Sequence, residues 1–180
     1  VALMKSSGKA AVIHPTGTGK SIIAFKLIED HPDKRFIWLS PSNYIVQTQR
    51  ENVRRIDPNF SDDNVFYCTY ARLMYMDSDE VCSLRPDYII LDEFHRCGAA
   101  EWGKGVDFLR RQYPSVPVLG LSATSIRYLD HQRDMAAELF DGNVASEISV
   151  AEAIATGILP SPTYVIALYA YQKELERYER

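Results

Sequence analysis

The sequence predicts an α/β fold: a three-layer α/β/α sandwich around a mainly parallel sheet. Three observations predict it. Short apolar, β-branched or aromatic runs recur along the 180 residues, and segments with helical periodicity lie between them. The run Tyr88-Ile89-Ile90-Leu91 is apolar at four successive positions, which suits a strand buried on both faces. Alternation of strand and helix in this way folds into right-handed βαβ units on a parallel sheet.

Taken in order, Ala10 to Ile13 is the first expected strand, and Ser21 to Ile28 the first helix, stopping before His31-Pro32. Phe36 to Leu39 is the second strand, followed by a helix from Tyr44 onward. Val65 to Tyr67, Tyr88 to Leu91 and Val118 to Leu121 are the next three, and Tyr164 to Tyr169 makes a sixth. Pro160-Ser161-Pro162 is the one candidate internal break, but a strand pattern follows it. The chain is therefore expected to be one domain over residues 1–170. Residues 171–180 are charged and read as a terminal helix or the start of a linker.

Composition narrows the setting. No apolar run approaches the roughly 20 residues that span a membrane. Cys68, Cys82 and Cys97 are odd in number and show no CxxC spacing, which argues against a disulfide framework or a zinc site and for a reducing, cytoplasmic setting. Position 1 is not Met, so the chain is expected to be a piece of a longer one. The net charge is −4, so any nucleic-acid role must rest on a local patch or another domain.

Two stretches carry chemistry. In "AVIHPTGTGKSIIAF" a strand enters a loop with Gly17 and Gly19, and Lys20-Ser21 then opens a helix. This is the layout of a phosphate-binding loop. Small residues let backbone N–H groups close on phosphate oxygens, and the helix N-terminus adds its positive end. Pro15, Thr16, Gly17, Thr18 and Gly19 would form the cradle. Lys20 would reach the terminal phosphates, and the Ser21 hydroxyl would ligate Mg²⁺. His14 stands where the strict pattern has its first glycine. A glycine turn with an incidental Lys-Ser has the same composition, but the strand–loop–helix context argues against it.

The second stretch is "YIILDEFH". Charged groups at the end of a buried strand are costly unless something there needs them, and in parallel sheets ligands sit beyond the strand C-termini. Asp92 would hold Mg²⁺ through water, and Glu93 would polarise an attacking water. A small GTPase, a nucleoside kinase or a transport ATPase would fit these parts too, although the guanine-reading NKxD is absent.

"HPTGTGKS", "LSPSNYIVQTQ", "CTYARL", "DEFH" and "LSAT", in this order, resemble the motor core of superfamily 2 helicases and translocases. "DEFHRCGA", "ATSIRYLD" and "VAEAIATGILPSPTYV" resemble the bacterial DEAD/DEAH-like group that includes restriction-type helicase subunits. The resemblance covers nearly the whole chain. It implies the first P-loop, RecA-like lobe of an ATP- and Mg²⁺-dependent motor, whose second lobe lies elsewhere in the parent chain. Lys20, Asp92, Glu93 and His95 would be catalytic, with His95 bridging to Ser122 and Thr124, which couple hydrolysis to movement. Ser40, Pro41 and Ser42, with Thr69, Tyr70 and Arg72, would contact nucleic acid, DNA in preference to RNA. Arg50 and Arg54 would add a basic strip or only a solvated helix face.

The sequence also departs from the resembled pattern. Motif II reads DEFH, which chooses neither subgroup. Ser125 stands where proline is usual, and the upstream adenine-reading glutamine is not present. The alternatives are a restriction-type double-stranded DNA translocase that never separates strands and a regulatory module that binds nucleotide without turnover.

Overall fold

The computed structural model describes residues 2–127, 132–163 and 165. Among these residues six strands form one sheet: β1 (Lys9–Ile13), β2 (Phe36–Ser40), β3 (Val65–Thr69), β4 (Tyr88–Asp92), β5 (Val118–Ser122) and β8 (Val144–Glu147). Their spatial order is β3-β2-β4-β5-β1-β8, and every pairing is parallel. Two-residue strands β6 (Ile126–Arg127) and β7 (Arg133–Asp134) make a small antiparallel ribbon beside it.

Alternate residues of the strands feed two separate cores, which makes three layers. One face carries Ala10, Val12, Phe36, Trp38, Ile90 and Leu119, packed against α1 (Ala2–Ser7), α2 (Lys20–Glu29) and α3 (Asn43–Ile56). The opposite face carries Ala11, Ile13, Ile37, Leu39, Ile89 and Leu91. It is covered by α4 (Tyr70–Leu73), α5 (Ser78–Leu84), α6 (Ala100–Gln112) and α7 (Met135–Phe140). Strands buried on both faces explain why the runs were continuous rather than alternating. Within β5, Gly120 leaves room for the Phe140 ring, which a Cβ at that position would approach to 2.2 Å.

The five expected strands from Ala10 to Leu121 and the helix after the glycine loop are all present. The sixth differs. The strand expected at Tyr164 to Tyr169, like the terminal segment 171–180, lies outside the described residues. Among the described residues the sheet has one strand that was not expected, β8, which returns beside β1 before α8 (Val150–Ala155). Its residues, Val-Ala-Ser-Glu, are only partly buried and carry no apolar run, so no pattern announced it.

Candidate nucleotide site

The C-terminal ends of β2, β4, β5 and β1 lie side by side in the sheet. They bring Ser40, Asp92, Ser122 and the start of the glycine loop into one row. His14 leaves β1 with its N–H donating to the Ser122 carbonyl at 3.0 Å. Its Nε2 shares a hydrogen bond with the Ser146 hydroxyl on β8 at 2.8 Å. Burial, and then the nearby Lys20, lower the pKa of this imidazole.

Gly17 and Gly19 have φ of 89° and 83°, in the left-handed region that side chains other than glycine rarely adopt. Thr16, Gly17 and Gly19 are exposed and Thr18 half-buried, while Pro15 is buried beneath them. Gly19 caps α2 without any side-chain hydrogen bond, so the first amides of the helix have no side-chain cap of their own. Ser21 is the second residue of that helix.

The Pro15 carbonyl accepts from Thr18 N at 3.3 Å, Thr18 Oγ1 at 2.7 Å and Lys20 Nζ at 3.3 Å. Three donors share two lone pairs, so the Lys20 ammonium is held loosely. Burial lowers its pKa, and the charges of Glu93 and Asp92 oppose that. A buried ammonium with one weak acceptor is suited to an arriving anion.

Asp92 closes β4 and is 2% exposed. Burial pushes its carboxyl up to about 6, against a hydrogen bond from Gln49; the adjacent Glu93 charge adds to the rise and Lys20 opposes it. Gln49 Nε2 donates to Asp92 Oδ2 at 3.0 Å, and the Ser40 hydroxyl stands 3.5 Å from the same oxygen. Glu93 then turns the chain with φ 51° and ψ 49° into a short 3₁₀ helix, Phe94–Gly98. Left-handed backbone at a non-glycine residue costs about 1–2 kcal/mol, and here it falls on a candidate catalytic side chain.

His95 joins the next strand. Its Nδ1 is 2.8 Å from Ser122 Oγ and 3.3 Å from Glu93 Oε2. The Ser122 hydroxyl donates onward to the Thr124 carbonyl at 2.7 Å, so it accepts from histidine, and Nδ1 carries the proton. Burial lowers the His95 pKa, with Glu93 opposing.

Among the described residues no cluster of three His, Cys, Asp or Glu side chains could cage a metal. Mg²⁺ does not ask for one. It keeps several waters and binds through one or two carboxylates together with substrate phosphates. A lone buried carboxylate with the Ser21 hydroxyl at a phosphate loop fits that mode.

The expected nucleic-acid residues divide. Pro41, Ser42, Thr69 and Arg72 reach the surface. Ser42 caps α3 by accepting from Ile45 N, and Thr69 caps α4 by accepting from Arg72 N. Ser40 and Tyr70 are corrected: they are 0% and 1% exposed and face inward. Ser40 lies beside the Asp92 carboxylate. Tyr70 donates to the Asp92 backbone carbonyl at 2.8 Å and stacks on Trp102, so both support the site from behind.

The basic strip is corrected as well. Arg50 and Arg54 both bind Asp62, at 3.1 and 2.7 Å, and Tyr67 donates to the same carboxylate. Burial alone would raise the Asp62 pKa, but the hydrogen bond from Arg50 and those that follow hold it below the ordinary value. Two aromatic side chains that follow Ser42 and Arg72 in the chain, Tyr44 and Tyr75, are 78% and 85% exposed.

The family model described as "Type III restriction enzyme, res subunit" matches residues 2–127. No curated protein matches the chain. Among solved structures it is similar to the Hef helicase domain of Pyrococcus furiosus, with 18% identity and a TM-score of 0.59, covering 81% of this chain and 37% of that one. A hypothetical ATP-dependent RNA helicase from Sulfolobus tokodaii is similar at 16% identity and a TM-score of 0.59, covering 83% and 50%. The chain thus spans half or less of the length of either protein. At such identities the likeness carries the fold alone. No helix among the described residues is long and apolar enough to cross a membrane. With the family match spanning well over half its length, the chain belongs to the family of type III restriction enzyme res subunits and has the RecA-like fold of a superfamily 2 helicase N-terminal domain.

Proposed function

We propose that this chain is the ATP-binding lobe of a nucleic-acid motor, coupling ATP hydrolysis to movement along DNA. The observation that carries the reading is the row of strand ends, which sets Lys20, Asp92, Glu93 and the His95–Ser122 pair around one phosphate loop. The amides of residues 17–20 bind the phosphates, and Lys20 exchanges the Pro15 carbonyl for a phosphate oxygen. Ser21 and, through water, Asp92 would hold Mg²⁺. Bound there, Mg²⁺ would offset charge building on the phosphate oxygens.

Glu93 takes the proton of the water that attacks the γ-phosphorus, as the bond to the leaving ADP oxygen breaks. His95, hydrogen-bonded to Ser122 and 3.3 Å from the Glu93 carboxylate, relays the change at that carboxylate to the loop of Ser122 and Thr124. Residues 1–170 act as the first lobe and 171–180 lead toward a second, which contributes an arginine to the same ATP. Without that arginine, worth about 10³–10⁵ in rate, the 180 residues alone turn over slowly. Pro41, Ser42, Thr69 and Arg72 hold the nucleic-acid backbone through hydroxyls, amides and one guanidinium. A reducing, cytoplasmic setting suits the three cysteines.

The restriction-enzyme family favours a second reading, a translocase on duplex DNA that never separates strands. ATP hydrolysis by the full-length protein, measured with duplex DNA, single-stranded DNA and RNA in turn, tests both. Stimulation by a single-stranded polymer supports a helicase and names its substrate, whereas stimulation by duplex alone supports the translocase. ATP binding with no stimulation by any of the three sinks the motor and leaves a nucleotide-binding regulatory module.

A further inference from the structure

We infer that Gln49 is a positioning residue for the magnesium carboxylate, fixing the orientation of Asp92 from helix α3. The inference rests on the reading of Asp92 as the group that holds the nucleotide's Mg²⁺. Gln49 lies three residues after Val46 and four before Val53, the two buried side chains of α3, so all three share the face turned to the sheet. A glutamine on that face has to find a partner inside. It finds one in a different element: Nε2 donates to Asp92 Oδ2 at 3.0 Å, nearer than the Ser40 hydroxyl at 3.5 Å. With one oxygen pinned, the carboxylate can no longer rotate freely about its last bond.

The other end of the same amide supplies an independent observation. Gln49 Oε1 is buried and has no hydrogen-bond partner among the described residues. An acceptor left in that state has lost its water without compensation. Flipping the amide would not relieve it, because a carbonyl would then face the Asp92 carboxylate. The polarity of the amide is therefore set by Asp92, and Oε1 keeps its capacity to accept from a donor outside the chain. A water in the shell of a hydrated cation is such a donor. Groups that orient a metal ligand in this way are worth 10–100-fold in metal affinity.

Two variants of the full-length protein test this. Gln49→Met keeps the length and loses both polar atoms; Gln49→His restores a donor at similar reach. A fluorescent ATP analogue is titrated first in EDTA and then with increasing Mg²⁺. Gln49→Met is expected to bind in EDTA within about twofold of wild type and to need about tenfold more Mg²⁺ for half-maximal binding and hydrolysis. Gln49→His is expected to recover most of that difference. If Gln49→Met shows the wild-type Mg²⁺ dependence, the inference is overturned. Equal weakening with and without Mg²⁺, unrescued by histidine, overturns it in favour of a purely structural side chain. If the wild-type protein binds nucleotide without regard to Mg²⁺, the inference falls together with the reading of Asp92.

Discussion

Glu93→Gln is expected to slow ATP turnover by about 10²–10⁴-fold, the usual worth of a positioned general base, while the protein still binds ATP. The substitution keeps the side chain's size and leaves a group within reach of His95, whose Nδ1 lies 3.3 Å from Oε2. What it removes is the ability to take a proton from water. The left-handed backbone at this position matters to the design of the test. Alanine would remove the side chain's contacts as well as its basicity, whereas glutamine changes the chemistry alone. Single-turnover hydrolysis beside equilibrium binding of an ATP analogue separates the two effects. Turnover within threefold of wild type would place the base elsewhere. Loss of binding in step with turnover would show that Glu93 is needed to build the site and leave its role in the chemistry untouched.

Asp92→Asn is expected to act in opposite directions on stability and on activity. The carboxyl of Asp92 is raised from its ordinary 3.8 to about 6, first by burial, with the Gln49 hydrogen bond opposing. A group whose folded value lies above its unfolded value binds its proton more tightly in the folded protein. Stability is then highest below about pH 4, falls as pH rises from there to about 6, and stays reduced above. At about 1.4 kcal/mol per unit, the ionised carboxylate costs the nucleotide-free protein on the order of 2–3 kcal/mol at pH 8. Asparagine removes that cost and can still accept from Gln49. Urea denaturation should therefore show the variant more stable at pH 8 and level with wild type at pH 4. Mg²⁺-dependent turnover should fall at least about 10²-fold in the same variant. A variant less stable than wild type at pH 8 would mean that the carboxylate's contacts outweigh its desolvation. Stability given up for a charge is a recurrent mark of a working site.

The features legible in the sequence were those whose cause is local. The five strands were visible because a doubly covered parallel strand needs an unbroken apolar run. The phosphate loop was visible because Gly17 and Gly19 occupy a backbone region that other residues avoid. The end of β4 stood out because Asp92 and Glu93 interrupt a buried run. Contacts between distant elements were hidden. Arg50 and Arg54 look like a basic strip until Asp62 folds back from beyond the helix to bind both. Ser40 and Tyr70 sit one residue on either side of surface positions, and a one-residue step at a strand end turns a side chain from solvent to core. Gln49 did carry a local signal, a polar residue on the Val46–Val53 face, but only the fold shows that its partner is 43 residues away.

The return of β8 beside β1 also decides how this domain can be cut. The family match stops at residue 127, and β8 begins at Val144. In the folded chain β1 is flanked on both sides, by β5 and by β8, with Ala11 N donating to the Asn143 carbonyl and Ile148 N to the Ile13 carbonyl. A fragment trimmed to residue 127 would turn the strand that feeds the phosphate loop into a bare sheet edge. Its free amides and carbonyls would be a ready template for pairing with another copy. The protection of this domain's sheet edge thus rests on a four-residue strand that contributes almost nothing to its core.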